Sequence, residues 1–115
     1  MDHICVVFPI LPGKTEEARA FQRELDTERK ADYDRSERRI GITKEYWFIA
    51  SVPGGDQLVV YMESQDFNQA LGQFVQSQDD FDQWFKRRLA EVTGVDLNNP
   101  PPDMQLPELV SSYEA

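Results

Sequence analysis

The feature that most restricts the fold is the turn sequence PGGD at residues 53–56. It separates two segments rich in β-branched and aromatic residues, ITKEYWFIAS at 42–51 and QLVVYME at 57–63, and both have the composition of β-strands. So short a connection leaves no room for a helix, and its proline and two glycines favour a tight turn. The sequence therefore predicts an antiparallel hairpin near the middle of the chain.

A strand and a long charged helix are predicted before the hairpin. Residues 3–10, HICVVFPI, are short, apolar and followed by a Pro-Gly pair, as is typical of a buried strand. Thr15 is the predicted N-cap of a helix that extends as far as Arg39 and ends at Gly41. Because its apolar stripe is narrow and most other positions are charged, we expect this helix to cover a sheet.

Two helical segments and an extended tail are predicted after the hairpin. Apolar residues recur at helical spacing from Phe67 to Val92, and the sequence SQDD at 77–80 interrupts them and starts a second helix. Residues 98–102, NNPPP, predict a stiff extended linker. The segment LPELVSSY at 106–113 is predicted to return as an edge strand, with its proline at the start.

This order of elements defines a ferredoxin-like βαββαβ arrangement of the α+β class. We predict a single domain over residues 1–115, in which an antiparallel sheet carries its helices on one face and residues 98–115 form the Pro-rich linker and C-terminal edge strand. Apolar residues occupy both sides of the first and third strands, so the other face of the sheet needs a partner. Two such sheets packed face to face cover the apolar face of each other, which predicts a homodimer.

The segments ERRIGITKEYWFIAS, DDFDQWFKRRLAEVTGVDL and LPELVSSY, together with the element order, resemble the dimeric α/β-barrel superfamily and, within it, a family of small bacterial proteins of unknown function. The shared patterns concern packing and capping, so the resemblance implies a fold more than an activity. Some members of the superfamily are cofactor-independent monooxygenases of polycyclic aromatics, and others bind or degrade haem. A haem protein needs an axial ligand, and His3 on the first strand does not match the helix-borne histidine of the haem-degrading members.

Composition and charge exclude several classes of function. The chain has 115 residues and a net charge of -9, which repels nucleic acid and anionic membrane surfaces. Its single cysteine, Cys5, excludes an intramolecular disulfide. No apolar run approaches the roughly 20 residues of a membrane span, and the N-terminus lacks the positive region of a signal peptide. We therefore expect a cytoplasmic protein that binds neither nucleic acid nor membrane.

Motifs for metals, cofactors and nucleophilic catalysis are missing from the sequence. His3 and Cys5 are the only histidine and cysteine, whereas a closed zinc site needs about four nitrogen or sulfur ligands. No serine lies in a nucleophile elbow, and no glycine-rich loop has the spacing that binds phosphates. The sequence thus predicts no metal and no cofactor.

Aromatic residues and arginines suggest a ligand-binding pocket. Tyr46 and Tyr61 lie on the hairpin, Trp84 lies in the second helical region, and Arg38 and Arg39 precede the second strand. We expect the rings to border a cavity between sheet and helices, with an arginine near its mouth, that binds a small aromatic or anionic molecule. Core packing and helix-end pairing are the alternative roles. The sequence leaves open a ligand-binding protein, a monooxygenase-like enzyme and a structural or protein-binding dimer.

Overall fold

The computed structural model describes residues 1–104 and 106–115. Among these residues it holds three strands and four helices, which in chain order are β1 (Asp2–Pro9), α1 (Thr15–Asp26), α2 (Lys30–Ile40), β2 (Ile42–Val52), β3 (Gly55–Ser64), α3 (Phe67–Gln76) and α4 (Asp80–Thr93). The strands form one antiparallel sheet in the order β1-β3-β2. The predicted α+β class with an antiparallel, ferredoxin-like sheet is confirmed.

The predicted hairpin is confirmed, and its turn is tight. Pairing between β2 and β3 begins with Val52 opposite Gly55 and continues to Ile42 opposite Ser64. Gly55 has a φ of 129°, a backbone angle that glycine adopts without the steric cost a side chain would bring. β3 therefore occupies the centre of the sheet, with β1 on its other side.

A β-bulge at Thr43 decides which β2 side chains face the helices. The pairing register shifts between Ile42 and Lys44, and the Thr43 hydroxyl donates a hydrogen bond to the Glu63 carbonyl oxygen at 3.1 Å. An extra residue in one strand reverses the alternation of side chains beyond it. The β2 residues that then point toward the helices are Glu45, Trp47 and Ile49, and those that point away are Lys44, Tyr46 and Phe48.

The expectation of one helix from Thr15 to Arg39 is wrong, because α1 and α2 are separate helices. The Thr27 hydroxyl donates to the carbonyl oxygen of Arg23 at 2.8 Å, and such back-bonding competes with regular helix geometry. The backbone then closes a turn in which the amide of Arg29 donates to the carbonyl oxygen of Glu24 at 2.8 Å. The break changes the direction of the chain, so that each short helix contributes its own apolar face.

The predicted helix ends are partly confirmed. Gly41 ends α2 with a φ of 90°, in the left-handed conformation expected of a C-terminal glycine. Thr15 does not cap α1, because its hydroxyl donates to the Asp56 carboxylate at 2.6 Å and α1 has no side-chain cap. The bend in the second helical region is confirmed, since α3 and α4 have separate aspartate caps, Asp66 and Asp79.

The hydrophobic core lies between the helices and one face of the sheet. Its most deeply buried side chains come from both layers and include Phe21, Leu25, Leu58, Val60, Leu89 and Val92. Phe85 on α4 lies at the centre of an aromatic cluster, with its ring centroid 5.1 Å from that of Phe21 and 5.4 Å from that of Phe74. This packing joins α4 to α1 and α3.

The edge strand predicted over residues 106–113 does not form within this chain. The described residues 106–115 contain no strand, and Leu109, Val110 and Tyr113 are 62%, 82% and 86% exposed. Met104 and Leu106 still pack against the core, and residues 107–115 beyond them are exposed. A short segment with proline and serines gains too little from edge pairing alone when no apolar surface covers it.

Candidate functional site

The structure does not bring the five predicted site residues together. Tyr46 and Tyr61 lie side by side on the sheet face that points away from the helices, with ring centroids 6.4 Å apart. Trp84 lies on α4 on the opposite side of the sheet, where its ring contacts Phe21 and lies under the Arg29 guanidinium at 4.4 Å. The expected cavity bordered by all three rings is therefore not found.

The two predicted arginines are also away from those rings. Arg39 donates to Asp82, a carboxylate that is fully buried, and ties α2 to α4. Asp82 also accepts hydrogen bonds from the hydroxyls of Ser36 at 2.5 Å and Ser77 at 2.6 Å. Arg38 is exposed on α2. The pairing role that we gave as the alternative describes Arg39.

The sheet face that points away from the helices is apolar and exposed, and we call it the open face. Its large exposed side chains are Val7, Tyr46, Phe48 and Val52, with exposed fractions of 44%, 54%, 57% and 42%. Cys5 is exposed on the same face. At one end of it the Tyr61 hydroxyl donates to Glu63 at 2.6 Å, and this hydrogen bond raises the pKa of Tyr61 to about 12.

A cavity of about 70 Å³ lies on the other side of the sheet, beneath the helices. Its walls come from all three strands, from α2, α3 and α4, and from the segment after α4 that contributes Leu97, Met104 and Leu106. Nearly all of the lining side chains are aliphatic or aromatic. The two charged residues among them are Glu37 and Glu45.

Glu37 and Glu45 form an acid pair that joins α2 to β2. Tyr33 and Glu37 are four residues apart on one face of α2, while Glu45 and Trp47 are two apart on β2, beyond the bulge. The carboxyl groups of the pair are close enough for each to affect the pKa of the other. Glu45 also accepts hydrogen bonds from the Tyr33 hydroxyl and, at 2.9 Å, from Nε1 of Trp47.

Burial controls the protonation of this pair. It raises the pKa of Glu37 to about 10, with further contributions from the charge of Glu45 and the hydrogen bond to it. Burial also raises the pKa of Glu45, although hydrogen bonds from Tyr33, Glu37 and Trp47 oppose that rise. Two adjacent carboxyls in an apolar site cannot both ionise. The pair thus holds a proton, and the hydrogen bonds that Tyr33 and Trp47 donate to Glu45 favour Glu37 as the group that carries it.

One carboxyl oxygen of the pair has no hydrogen-bond donor among the described residues. Oε2 of Glu37 is buried and has no hydrogen-bond partner among the described residues. A buried polar oxygen without a partner costs about 1–3 kcal/mol, so the site favours a proton, a water or a ligand group there. Oε2 of Glu37 therefore gives the cavity a site for a hydrogen-bond donor, which its apolar side chains alone would not provide.

The sequence analysis missed Glu37 and Glu45. In the sequence, Glu37 lies among three arginines, which is typical of a solvated helix face. Regular alternation along the second strand would place Glu45 on its outer face. One signal was available, because Glu37 follows Tyr33 by four residues and precedes the buried Ile40 by three. That spacing places all three on one helix face.

The described residues also bear on metal binding and on membrane crossing. No group of three or more histidine, cysteine, aspartate or glutamate residues in residues 1–104 and 106–115 is arranged to hold a metal ion. No helix in the same ranges is both long enough and apolar enough to cross a membrane.

The whole chain matches a solved structure, that of tetracenomycin F2 cyclase from Streptomyces glaucescens, a type-II polyketide cyclase. The two share 17% sequence identity and superpose with a TM-score of 0.61 over 100% of this chain and 99% of the cyclase. At this identity the similarity shows a common fold. No curated protein matches the sequence. Residues 1–111 match the family of unknown function DUF6176, and the chain therefore belongs to that family.

Proposed function

We propose that this protein binds a small, uncharged, largely aromatic or aliphatic molecule in the cavity beneath the helices. The observation that carries the proposal is the acid pair of Glu37 and Glu45 inside apolar walls. A ligand with one polar group, such as a hydroxyl or a carbonyl, would pair with Glu37 and bury its remaining surface. No cation lines the cavity among the described residues, so the anionic alternative has no support there.

The cost of the acid pair supports a functional role over a purely structural one. Apolar side chains would join α2 to β2 without the desolvation penalty that carboxyl groups incur. The structure instead uses Tyr33 and Trp47 as donors to Glu45, which adds two more polar groups at the same place. Clusters of this kind, with raised pKa values in a cavity, are typical of binding and catalytic sites.

The size of the cavity limits the ligand. About 70 Å³ is several times the 10–15 Å³ that one water needs, but is well below the roughly 300–1,000 Å³ of pockets for drug-sized molecules. We therefore propose a ligand of about one ring. This size disfavours the polycyclic substrates of the monooxygenase alternative.

A ligand panel with a cavity-filling variant tests the proposal. We would measure melting temperature and ligand-observed NMR for phenol, benzaldehyde, cyclopentanone and benzoate. Ala70 lines the cavity and is 1% exposed, so Ala70→Leu should abolish binding of the uncharged compounds. Ala31→Leu, at an exposed position on α2, is the matched control and should bind normally. Binding that survives Ala70→Leu, or binding of benzoate alone, would contradict the proposal.

We further propose that the protein is a homodimer through its open face. The support is the row of exposed apolar side chains on that face, including Tyr46 and Phe48, since monomers rarely leave such a patch uncovered. The tail ends near the same face, because the negative charge of Glu114 contributes to the raised pKa of Tyr61. Leu109 and Val110 would then pack across the dimer.

Light scattering tests the dimer directly. The expected mass is about twice the chain mass of 13.3 kDa. Phe48→Glu places a charge in the middle of the open face and should give a monomer. Gln73→Glu adds the same charge at an exposed position on α3 and should leave the dimer intact. A monomeric wild-type protein would refute the face-to-face arrangement.

A further inference from the structure

We propose that Glu37 and Glu45 catalyse keto–enol proton transfer on a small uncharged ketone or aldehyde bound in the cavity. The inference rests on the proposed function, because the reacting molecule occupies the same cavity. It goes further in assigning an activity, a substrate class and separate roles to the two carboxyl groups. The geometry that supports it is an acid and a base side by side, both lining one apolar cavity.

The surroundings of the two carboxyls differ in a way that separates their roles. Glu45 accepts hydrogen bonds from Tyr33 and Trp47, and both bonds favour its charged form. Glu37 has no such donor among the described residues, and therefore holds its proton. A neutral carboxylic acid in an apolar site is a good donor to a carbonyl oxygen, and the neighbouring carboxylate is a good base.

The proposed step balances without a co-reactant. Glu45 takes a proton from the carbon next to the carbonyl, and the electron pair of that C–H bond forms the C=C bond. The π electrons of the carbonyl take the proton of Glu37 onto oxygen, which gives the enol. Glu45 is then the acid and Glu37 the carboxylate. Proton transfer across their contact restores the starting state, and the net charge of the site never changes.

The constancy of charge suits this cavity. Nearly all of its walls are apolar side chains, so a step that created a second charge there would be costly. In the proposed step Glu45 gains a proton while Glu37 loses one, so the total charge of the site stays the same and that cost is avoided. Tyr33 is a positioning residue in this scheme, since its hydroxyl fixes the orientation of Glu45.

The pH range of the activity follows from the groups around the pair. Glu37 is faced by Tyr33 on its own helix, by Glu45 on β2 and by the charge of Asp82 on α4. Activity should be lost in the alkaline range as Glu37, with its pKa raised to about 10, gives up its proton. It should also be lost in acid, where Glu45 becomes protonated.

Hydrogen–deuterium exchange at carbon measures the step. Cyclopentanone is incubated with the protein in D₂O, and loss of its α-proton signal is followed by NMR. We expect the wild-type rate to saturate with ketone concentration and to exceed the buffer rate. Glu37→Gln and Glu45→Gln should each slow the exchange by about 100-fold or more, the range for loss of a general acid or base. Glu16→Gln, an exposed carboxylate on α1, is the matched control.

Glu37→Gln is the decisive variant, because its amide can still donate to Glu45 and keep the fold. Tyr33→Phe should lower the rate less and move the acidic limb of the pH profile upward, which a purely structural role would not do. If cyclopentanone binds and Ala70→Leu blocks it, but exchange stays at the buffer rate or is unchanged in Glu37→Gln, the catalytic inference is wrong and the binding proposal stands. If no uncharged compound binds, both are wrong.

Discussion

Raising the pH from 5 to 8 should weaken the folded protein, and Glu37→Gln should remove most of this effect. The pKa of Glu37 is raised from 4.5 to about 10 in the folded chain. Below pH 4.5 the residue is protonated whether the chain is folded or unfolded, so its full contribution to stability is present there. Above that pH the unfolded chain releases the proton while the folded chain keeps it, and the contribution is lost progressively until the pH passes the folded pKa.

The expected slope is that of one proton. The free energy of unfolding should fall by about 1.4 kcal/mol per pH unit from this residue, or about 3 kcal/mol between pH 6 and pH 8. Because the two adjacent carboxyls hold one proton between them, Glu45 adds no second proton to this slope. Carboxylates with a lowered pKa, such as Asp56 and Glu63, change the free energy of unfolding mainly below pH 5. They do not affect its slope between pH 6 and pH 8.

Urea unfolding at pH 5, 6, 7 and 8 measures the effect, with protein concentration held constant because a dimer would link stability to it. Glu37→Gln keeps the shape of the side chain and offers Glu45 a donor at every pH. Its stability should therefore exceed that of the wild type at pH 8. Glu16→Gln should follow the wild-type slope. A wild-type stability that does not change with pH, or a Glu37→Gln slope equal to it, would refute the assignment of a protonated Glu37.

Three further predictions concern the core, the tail and the open face. Lys86→Met should destabilise the protein by roughly 1–3 kcal/mol, since it removes the three hydrogen bonds that the buried Lys86 donates to Val75, Ser77 and Asn98. Lys30→Met, at an exposed site, should have little effect on the same urea curves. Deleting residues 108–115 should lower the melting temperature by a few degrees and weaken the dimer in light scattering, and an unchanged protein would show that the tail makes no stabilising contact. Thiol alkylation of Cys5 should be slow in the wild type and fast in Phe48→Glu, whereas equal rates would argue against an interface there.

Local signals explain what the sequence could predict. The PGGD turn, the new helix that starts within residues 77–80 and the glycine after α2 each depend on neighbouring residues alone, and these features lie where the sequence placed them. The apolar character of both sheet faces was also readable, since it needs only the composition of the strands. The element order followed from these signals, and the fold class followed from the order.

The candidate site could not be predicted, because it depends on two local irregularities. The break at residues 27–29 turns α2 so that Tyr33 and Glu37 face β2, and the bulge at Thr43 turns Glu45 toward them. Neither has a strong residue signature in this sequence. Regular alternation through β2 from Ile42 would have put Tyr46 on the inner face, on the cavity side where we expected that ring.

The bulge at Thr43 also has a consequence for how such a chain can change over generations. Deleting this one codon would remove the bulge and leave Glu45 on the inner face, because Ile42 already pairs with Ser64 and Lys44 with Glu63. A deletion between Glu45 and Trp47 would instead put these two side chains on opposite faces and break the site. Homologues that keep the acid pair should therefore tolerate the loss of a residue before Glu45, but not one directly after it.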